Sequence, residues 1–228
     1  MTWNLFLGWK QAECHIPLCI LCADRPSYSF LQREGVPCLL LESLMADFGP
    51  QIVPFGSRQF SQLNRLKLSL LHRFALDSEI RQTLYLDGDI AIYKNIVSDI
   101  QSRLAEKQFW AQCDEKQQDC SDEIQCPNFC TGLLAWCHGA DKGCFQITDE
   151  QLWAQKPEDQ IWVNGSSRRL GVDVSILPRD LYPNGARLSL TKTTPDLCEK
   201  AICLHYNYRV GDSKKADMKR YGDWKLVY

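Results

Sequence analysis

Two kinds of hydrophobic pattern alternate along this chain and restrict its fold more than any other feature. Short apolar runs at residues 17–23, 36–41 and 131–137 are typical of buried strands, whereas residues 58–76 carry apolar side chains at the three- to four-residue spacing of an amphipathic helix. Strands that alternate with helices through short links are typical of α/β sheets. We therefore expect an α/β fold in which helices flank a mixed, mostly parallel sheet.

The other predicted elements continue this alternation. We expect further helices at 3–11, 26–34 and 97–106, helical stretches between the strand at 131–137 and about residue 170, and a helix after Gly211. Further strands are expected before Asp87 and at 108–112, 173–177 and 201–205. At 228 residues the chain suits one domain with a core that needs no disulfide bonds. No internal repeat or low-complexity linker divides it.

The charge balance and the first residues restrict the partners and the location. Lys and Arg (26) nearly balance Asp and Glu (28), which argues against a nucleic-acid partner held by bulk electrostatics. Residues 1–10 lack the basic segment of a signal peptide and are too short to span a membrane. As given, the sequence predicts a soluble, cytoplasmic protein without a transmembrane segment.

The chain contains twelve cysteines, an even number that often indicates a secreted disulfide scaffold. Most of them lie in or beside apolar strands, where a thiol behaves as a small hydrophobic group. Cys113, Cys120, Cys126 and Cys130 differ because they lie in a polar segment, and their irregular spacing lacks the short pairs of a zinc site. We favour free thiols there and keep a zinc or disulfide clasp as the alternative.

Two carboxylates stand one residue apart in Asp87-Gly88-Asp89, where an apolar strand ends. This spacing allows both side chains to reach one hard divalent cation, which can bind a diphosphate. Asp-Gly is also common in turns, so the triplet alone has a structural explanation. Ligands of α/β sheets bind at the carboxyl ends of strands, where Asp24 and Asp87 are both expected.

The order of motifs resembles that of the GT-A glycosyltransferases, especially the nucleotide-diphospho-sugar transferase family. The family motifs are matched in order by Asp87-Gly88-Asp89, the glycine segment 129–134, Glu158-Asp159-Gln160, His205, and Gly211 with Lys214-Lys215. The resemblance implies a single GT-A-like (Rossmann-type) domain, 1–228. Its nucleotide-binding half would span 17–93, and its acceptor-binding and C-terminal metal-binding half 107–228. The family's first strand would be missing, because the sequence starts at the following helix.

By this resemblance the protein is a metal-dependent hexosyl- or pentosyltransferase. It would move a sugar from a UDP- or GDP-sugar to a hydroxyl acceptor, such as a glycan. Asp87, Asp89 and His205 would hold Mn²⁺ or Mg²⁺. A cation and lysines would offset the charge of the departing nucleoside diphosphate, with Lys215, and secondarily Lys214, on the diphosphate.

Asp159 is the expected catalytic residue, either as a general base for the acceptor hydroxyl or as a group that positions the acceptor. A first-turn acid of a helix explains Glu158-Asp159 equally well, and an N-cap explains Asp24 ahead of Pro26. Segments near Trp153, Trp162, Tyr182 and Asn184, with the cysteine segment, are expected to line the acceptor face. The substrate-binding residues implied by the resemblance are Asp24, Lys67, Asp87, Gly132, Glu158, Gln160, Gly211, Lys214 and Lys215.

Two other functions remain open. Asp87-Gly88-Asp89 and residues 211–217 also resemble the nucleophile and metal-binding motifs of haloacid-dehalogenase-type phosphatases, although Ala91 replaces the usual Thr or Val. A non-catalytic module that binds sugar nucleotides or glycans could keep the same scaffold, because a fold does not determine a function.

Overall fold

The computed structural model describes residues 1–41, 53, 56–114, 128–193 and 195–225. The helices are α1 (Thr2–Gln11), α2 (Arg25–Arg33), α3 (Arg58–Leu76), α4 (Ile96–Glu106), α5 (Glu150–Gln155), α6 (Asp159–Leu170), α7 (Leu188–Thr193), α8 (Pro195–Lys200) and α9 (Gly211–Arg220). The strands are β1 (Ile20–Cys22), β2 (Cys38–Leu40), β3 (Gln82–Leu86), β4 (Ile90–Ile92), β5 (Phe109–Cys113), β6 (Phe129–Cys137), β7 (Ser175–Ile176) and β8 (Cys203–His205). The predicted alternation of strands and helices is therefore present in the described ranges.

The described strands form three hydrogen-bonded groups, ordered β1-β2, β3-β6-β5-β7 and β4-β8. β1 pairs with β2, and β5 with β7, in parallel, whereas β6 pairs with both β3 and β5, and β4 with β8, in antiparallel orientation. The sheet is mixed as predicted, but the expectation that it is mostly parallel was wrong for these strands. Parallel neighbours that follow one another in the chain need a long crossover connection, usually a helix, and the sequence between β5 and β6 carries no helical pattern.

The strand pairing brings three distant segments to one place. β3 ends at Leu86, and the Asp87 backbone N–H donates to the Gly132 carbonyl of β6 at 2.7 Å. The chain then turns into β4, where Ile90 pairs with His205, the last residue of β8. Residues 87–89, the middle of β6 and the end of β8 therefore meet.

Apolar faces on both sides of the sheet hold these strands in place. α3 begins at the N-cap Ser57 and has the bounds that the apolar spacing predicts, and its Leu68 and Leu71 are fully buried. On the other side, α1 and α4 bury Leu5 and Ile96 against β4. Lys67 of α3, one turn before Leu71, reaches the carboxyl end of β3, where its Nζ lies 3.2 Å from Asp87 Oδ1. Among the helices of the described residues, none combines the length and the apolar composition of a membrane span.

The four residues near which the acceptor face was expected have buried side chains. Trp153 and Trp162 form an edge-to-face pair with ring centroids 6.0 Å apart inside the core. Tyr182 donates its hydroxyl to Asp99, and Asn184 is only 3 % exposed. Burying the three rings stabilises the core, so these side chains are not free to stack on a sugar. That the segments near them line the acceptor face stays a prediction. Cys120 and Cys126 of the cysteine segment lie outside the described residues.

A buried carboxylate ties the segment after α9 to the rest of the domain. Asp223 accepts hydrogen bonds from the Tyr93 hydroxyl at 2.7 Å and the Tyr206 hydroxyl at 2.5 Å. Lys192 lies 2.8 Å from the same carboxylate oxygen, and the Asn4 side-chain amide donates to the Asp223 carbonyl. Burial and the Asp223 carboxylate raise the pKa of both phenols, so they act as hydrogen-bond donors.

We expect Asp223→Ala to lower the free energy of unfolding by about 3–5 kcal/mol, because it leaves the buried Lys192 ammonium without a counter-charge and removes the acceptor of two hydroxyls. The matched control is Asp173→Ala, since Asp173 pairs with Lys107 at 3.4 Å but has a side chain that is 80 % exposed. This control should cost less than about 1 kcal/mol. Urea unfolding of both variants measures the difference, and equal effects would contradict the anchoring role of Asp223.

Candidate metal centre and active site

Asp87, Asp89 and His205 form a cluster in which one potential ligand atom from each lies within 4.8 Å of the others. His205 Nε2 is 3.2 Å from Asp89 Oδ1 and 3.9 Å from Asp87 Oδ2. Asp89 and His205 are buried, whereas the Asp87 side chain is 32 % exposed. The convergence of these residues, expected from the sequence motifs, is confirmed.

Basic side chains balance the charge of the acidic pair. Lys214 of α9 places its Nζ 2.5 Å from Asp89 Oδ2. Burial alone would raise the pKa of the Asp89 carboxyl, but the charges of His205 and Lys214 outweigh it and hold that pKa below its usual value. Burial alone would lower the pKa of His205, but Asp89, and next Cys130, raise it well above the usual value. Asp89 is therefore an ionised carboxylate whose charge is balanced by His205 and Lys214.

The chemistry of these three side chains fits a divalent metal ion. Two carboxylates and an imidazole nitrogen together suit a hard or borderline cation that accepts both oxygen and nitrogen ligands. The space beside them also fits, because a Cβ atom at Gly132 would lie 2.2 Å from His205 Cε1 and 2.6 Å from Asp87 Oδ2. The glycine is therefore required for the ligand side chains to keep their positions.

Lys67 connects this cluster to Asp159. Its Nζ lies 3.2 Å from Asp87 Oδ1 and 2.8 Å from Asp159 Oδ2. Thr131 donates its hydroxyl to Asp159 at 2.7 Å, and Tyr85 donates to Asp87 at 2.7 Å. Burial alone would raise the pKa of Asp159, but Lys67 and Thr131 outweigh it and hold that pKa below its usual value. Asp159 is therefore ionised and lies in the same site as the acidic pair.

These groups open into one cleft of about 1360 Å³. Most of the predicted site residues line it, namely Lys67, Asp87, Asp89, Gly132, Glu158, Asp159, Gln160, His205, Gly211 and Lys214. Two predicted residues have other contacts. Asp24 caps α2 and accepts from the Ser27 backbone N–H at 2.7 Å, and Lys215 lies over the Trp224 ring, 5.2 Å from its centroid.

The sequence motifs missed several residues of the cleft. Asp114 accepts from the Gln160 amide at 2.5 Å and from the Tyr208 hydroxyl at 2.8 Å. Nothing in the local sequence singles out Asp114, because its partners are 46 and 94 residues away. Tyr85 could have been found, since residues two apart on a strand share a face and it stands two before Asp87.

Gly132→Ala tests the close contact between β6 and the metal ligands. We expect it to abolish Mn²⁺-dependent thermal stabilisation, because the new methyl group would displace His205 and Asp87. Gly165→Ala is the matched control, since a Cβ there meets no atom within 4 Å. Because Gly165 lies inside α6, its replacement should stabilise the protein by about 0.5–1 kcal/mol. Unchanged Mn²⁺-dependent stabilisation in Gly132→Ala would contradict the ligand set.

Several solved structures are similar to this chain. The galactosyltransferase LgtC, in complex with donor and acceptor sugar analogues, is 15% identical and has a TM-score of 0.58, over 100% of this chain and 92% of that one. Mouse xyloside xylosyltransferase 1 is 14% identical with a TM-score of 0.57, over 92% of both chains. GlyE of Streptococcus pneumoniae is 14% identical with a TM-score of 0.55, over 96% of this chain and 56% of that one. These similarities confirm the predicted GT-A-like α/β fold.

The phosphatase alternative is not favoured. Its second motif would bring Asp212 or Asp217 to the acidic pair, but the described metal cluster contains neither. Asp217 accepts from Arg209 at 2.6 Å, and Asp212 is exposed in the first turn of α9. The motif is therefore part of a surface helix.

The amino-acid sequence can also be compared with those of curated proteins and with models of protein families. No curated protein is similar enough in sequence to count as a match. A family model, described as nucleotide-diphospho-sugar transferase, matches residues 15–218 and so includes every residue of the metal cluster and Asp159. The chain belongs to the nucleotide-diphospho-sugar transferase family.

Proposed function

We propose that this protein transfers a hexosyl or pentosyl group from a UDP- or GDP-sugar to a hydroxyl acceptor, with Mn²⁺ as its preferred cofactor. The observation that carries the proposal is the meeting of Asp87, Asp89 and His205 at the floor of a cleft that also contains Asp159. Manganese is preferred over magnesium because the cluster includes an imidazole nitrogen, whereas Mg²⁺ favours oxygen ligands alone.

Departure of the nucleoside diphosphate builds up negative charge beside the acidic pair. A bound divalent ion would supply Lewis-acid stabilisation of that charge. Lys214 is the protein's own contribution, because its ammonium already lies in the cleft against Asp89. We assign the diphosphate contact to Lys214, since Lys215 lies over the Trp224 ring.

Asp159 acts by position and charge. A carboxylate that pairs with Lys67 and accepts from Thr131 has a lowered pKa, which makes it a weak proton acceptor. The same charge suits it to hold sugar hydroxyls and to stabilise the positive charge that develops at the anomeric carbon. Of the two roles expected from the sequence, we therefore propose the positioning role.

Thermal-shift measurements with UDP and GDP, each with Mn²⁺, Mg²⁺ or a chelator, test the donor site. We expect metal-dependent stabilisation by one nucleotide, and release of that nucleoside diphosphate from the matching sugar donors in a turnover assay. Hydrolysis of small phosphoesters that is lost in Asp87→Asn would favour the phosphatase instead. Nucleotide binding without turnover of any hexose or pentose donor would favour the non-catalytic module.

A further inference from the structure

Both nitrogen atoms of the His205 ring have a close polar neighbour. Its Nε2 faces the acidic pair, while its Nδ1 lies 2.8 Å from Oε1 of Gln112. A histidine can ligate a metal through Nε2 only when that nitrogen carries no hydrogen, which leaves the hydrogen of a neutral ring on Nδ1. The group that contacts Nδ1 therefore decides whether the imidazole is ready to bind an ion.

The orientation of the Gln112 amide is fixed by its other contacts. Its Nε2 donates to the Tyr182 carbonyl at 3.0 Å and to the Pro183 carbonyl at 3.1 Å. Carbonyl oxygens only accept, so the amide cannot turn over without placing three acceptors against one another. Its oxygen must face His205, and Nδ1 must donate to it.

The backbone directs Gln112 into this position. β5 and β6 lose register between Ala111 and Gln112, because Ala111 pairs with Leu134 whereas Gln112 pairs with Cys130. Such irregularities redirect side chains. Gln112 is fully buried, and burying an amide is costly unless its hydrogen-bonding groups are all satisfied. The Cys130 sulfur, 3.6 Å from Nδ1, is a weaker partner for the same nitrogen.

We propose that Gln112 is a positioning residue for the metal site: it holds the hydrogen of His205 on Nδ1 and thereby keeps Nε2 available to the ion. This inference rests on the proposed function, since it concerns the same metal site. A divalent ion replaces only a hydrogen on Nε2, so the contact between Gln112 and Nδ1 persists whether or not the ion is present.

Mn²⁺ binding, followed by the electron paramagnetic resonance signal of the free ion, tests this role without any turnover. Gln112→Met keeps the side-chain volume but removes the acceptor, and we expect roughly 10- to 100-fold weaker binding. Gln112→Glu keeps an acceptor for Nδ1, but its second oxygen faces the two carbonyls, so we expect it to lower the free energy of unfolding while the Mn²⁺ affinity of the folded protein stays close to that of the unmodified protein. Equal losses in the two variants, or no loss in Gln112→Met, would overturn the proposal.

A second measurement needs no substitution at Gln112. In the Mg²⁺-loaded protein with ¹⁵N-labelled histidine, the His205 Nδ1 should show a directly bonded hydrogen and Nε2 should show none. His205→Asn identifies the signals among the four histidines of the chain. A hydrogen on Nε2 instead would contradict the role of Gln112 but not the transferase proposal. A protein that binds neither Mn²⁺ nor Mg²⁺ would contradict both.

Discussion

Asp89→Asn is expected to abolish the stabilisation that Mn²⁺ gives with a nucleoside diphosphate, and to slow release of that diphosphate from the sugar donor by roughly 10²–10³-fold or more. The substitution preserves shape but removes the charge that His205 and Lys214 both contact. Without it, the remaining carboxylate and imidazole cannot balance a divalent ion. Thermal shift and a coupled assay for the released diphosphate measure the two effects.

The matched control for this prediction is Asp212→Asn, the same chemical change on the exposed first turn of α9. We expect the control to bind metal and turn over donor like the unmodified protein. The comparison also separates the enzyme classes, because the phosphatase motif would need Asp212. An Asp89→Asn variant that is folded and fully active would show that the ion, if any, lies elsewhere.

Lys67→Met is expected to lower the free energy of unfolding by about 3–5 kcal/mol near neutral pH, because it leaves Asp159 buried beside Asp87 with no counter-charge. The Lys67 side chain is only 14 % exposed, so water replaces little of the lost interaction. The matched control is Arg65→Met on the same helix, since Arg65 pairs with Glu150 where both side chains are largely exposed. The control should cost less than about 1 kcal/mol.

The cost of Lys67→Met should also depend on pH. The pKa of Asp159 is lowered by folding, so its contribution is present above the unfolded value and is lost as the pH falls through the folded value. The pKa of Lys67 is raised, so its contribution is present below the unfolded value and is lost only as the pH rises through the folded one. The difference between the two proteins should therefore be greatest between about pH 4 and pH 10. A difference that grows on acidification would contradict this ion pair.

The sequence was sufficient to predict those features whose determining contacts join residues close together in the chain. The N-cap Ser57 and the apolar spacing after it give α3 its bounds, because a helix is specified by its first turn and its buried face. Asp87-Gly88-Asp89 could be placed at a strand end for the same reason. Their meeting with His205 was inferred only through the family's motif order, since His205 stands 116 positions after Asp89.

The contacts that could not be predicted from the sequence join residues that are far apart in the chain. The antiparallel placement of β6 depends on which strands it lies between, and no alternation of apolar residues encodes that choice. A lysine on an amphipathic helix is ordinary, so only the family resemblance pointed to Lys67, and its position between two acids became visible only in the fold. Nothing in the sequence identified Gln112 as a site residue either, because its role depends on a register shift between β5 and β6 and on two carbonyls about 70 residues away.

The most direct measurement is a crystal structure of the protein grown with Mn²⁺ and the nucleoside diphosphate that stabilises it, with anomalous diffraction used to locate the metal. We expect a single manganese peak in contact with Asp87, Asp89 and the Nε2 atom of His205, with the diphosphate against the same ion. A nucleotide bound without that peak, or a peak that none of these three side chains contacts, would contradict it.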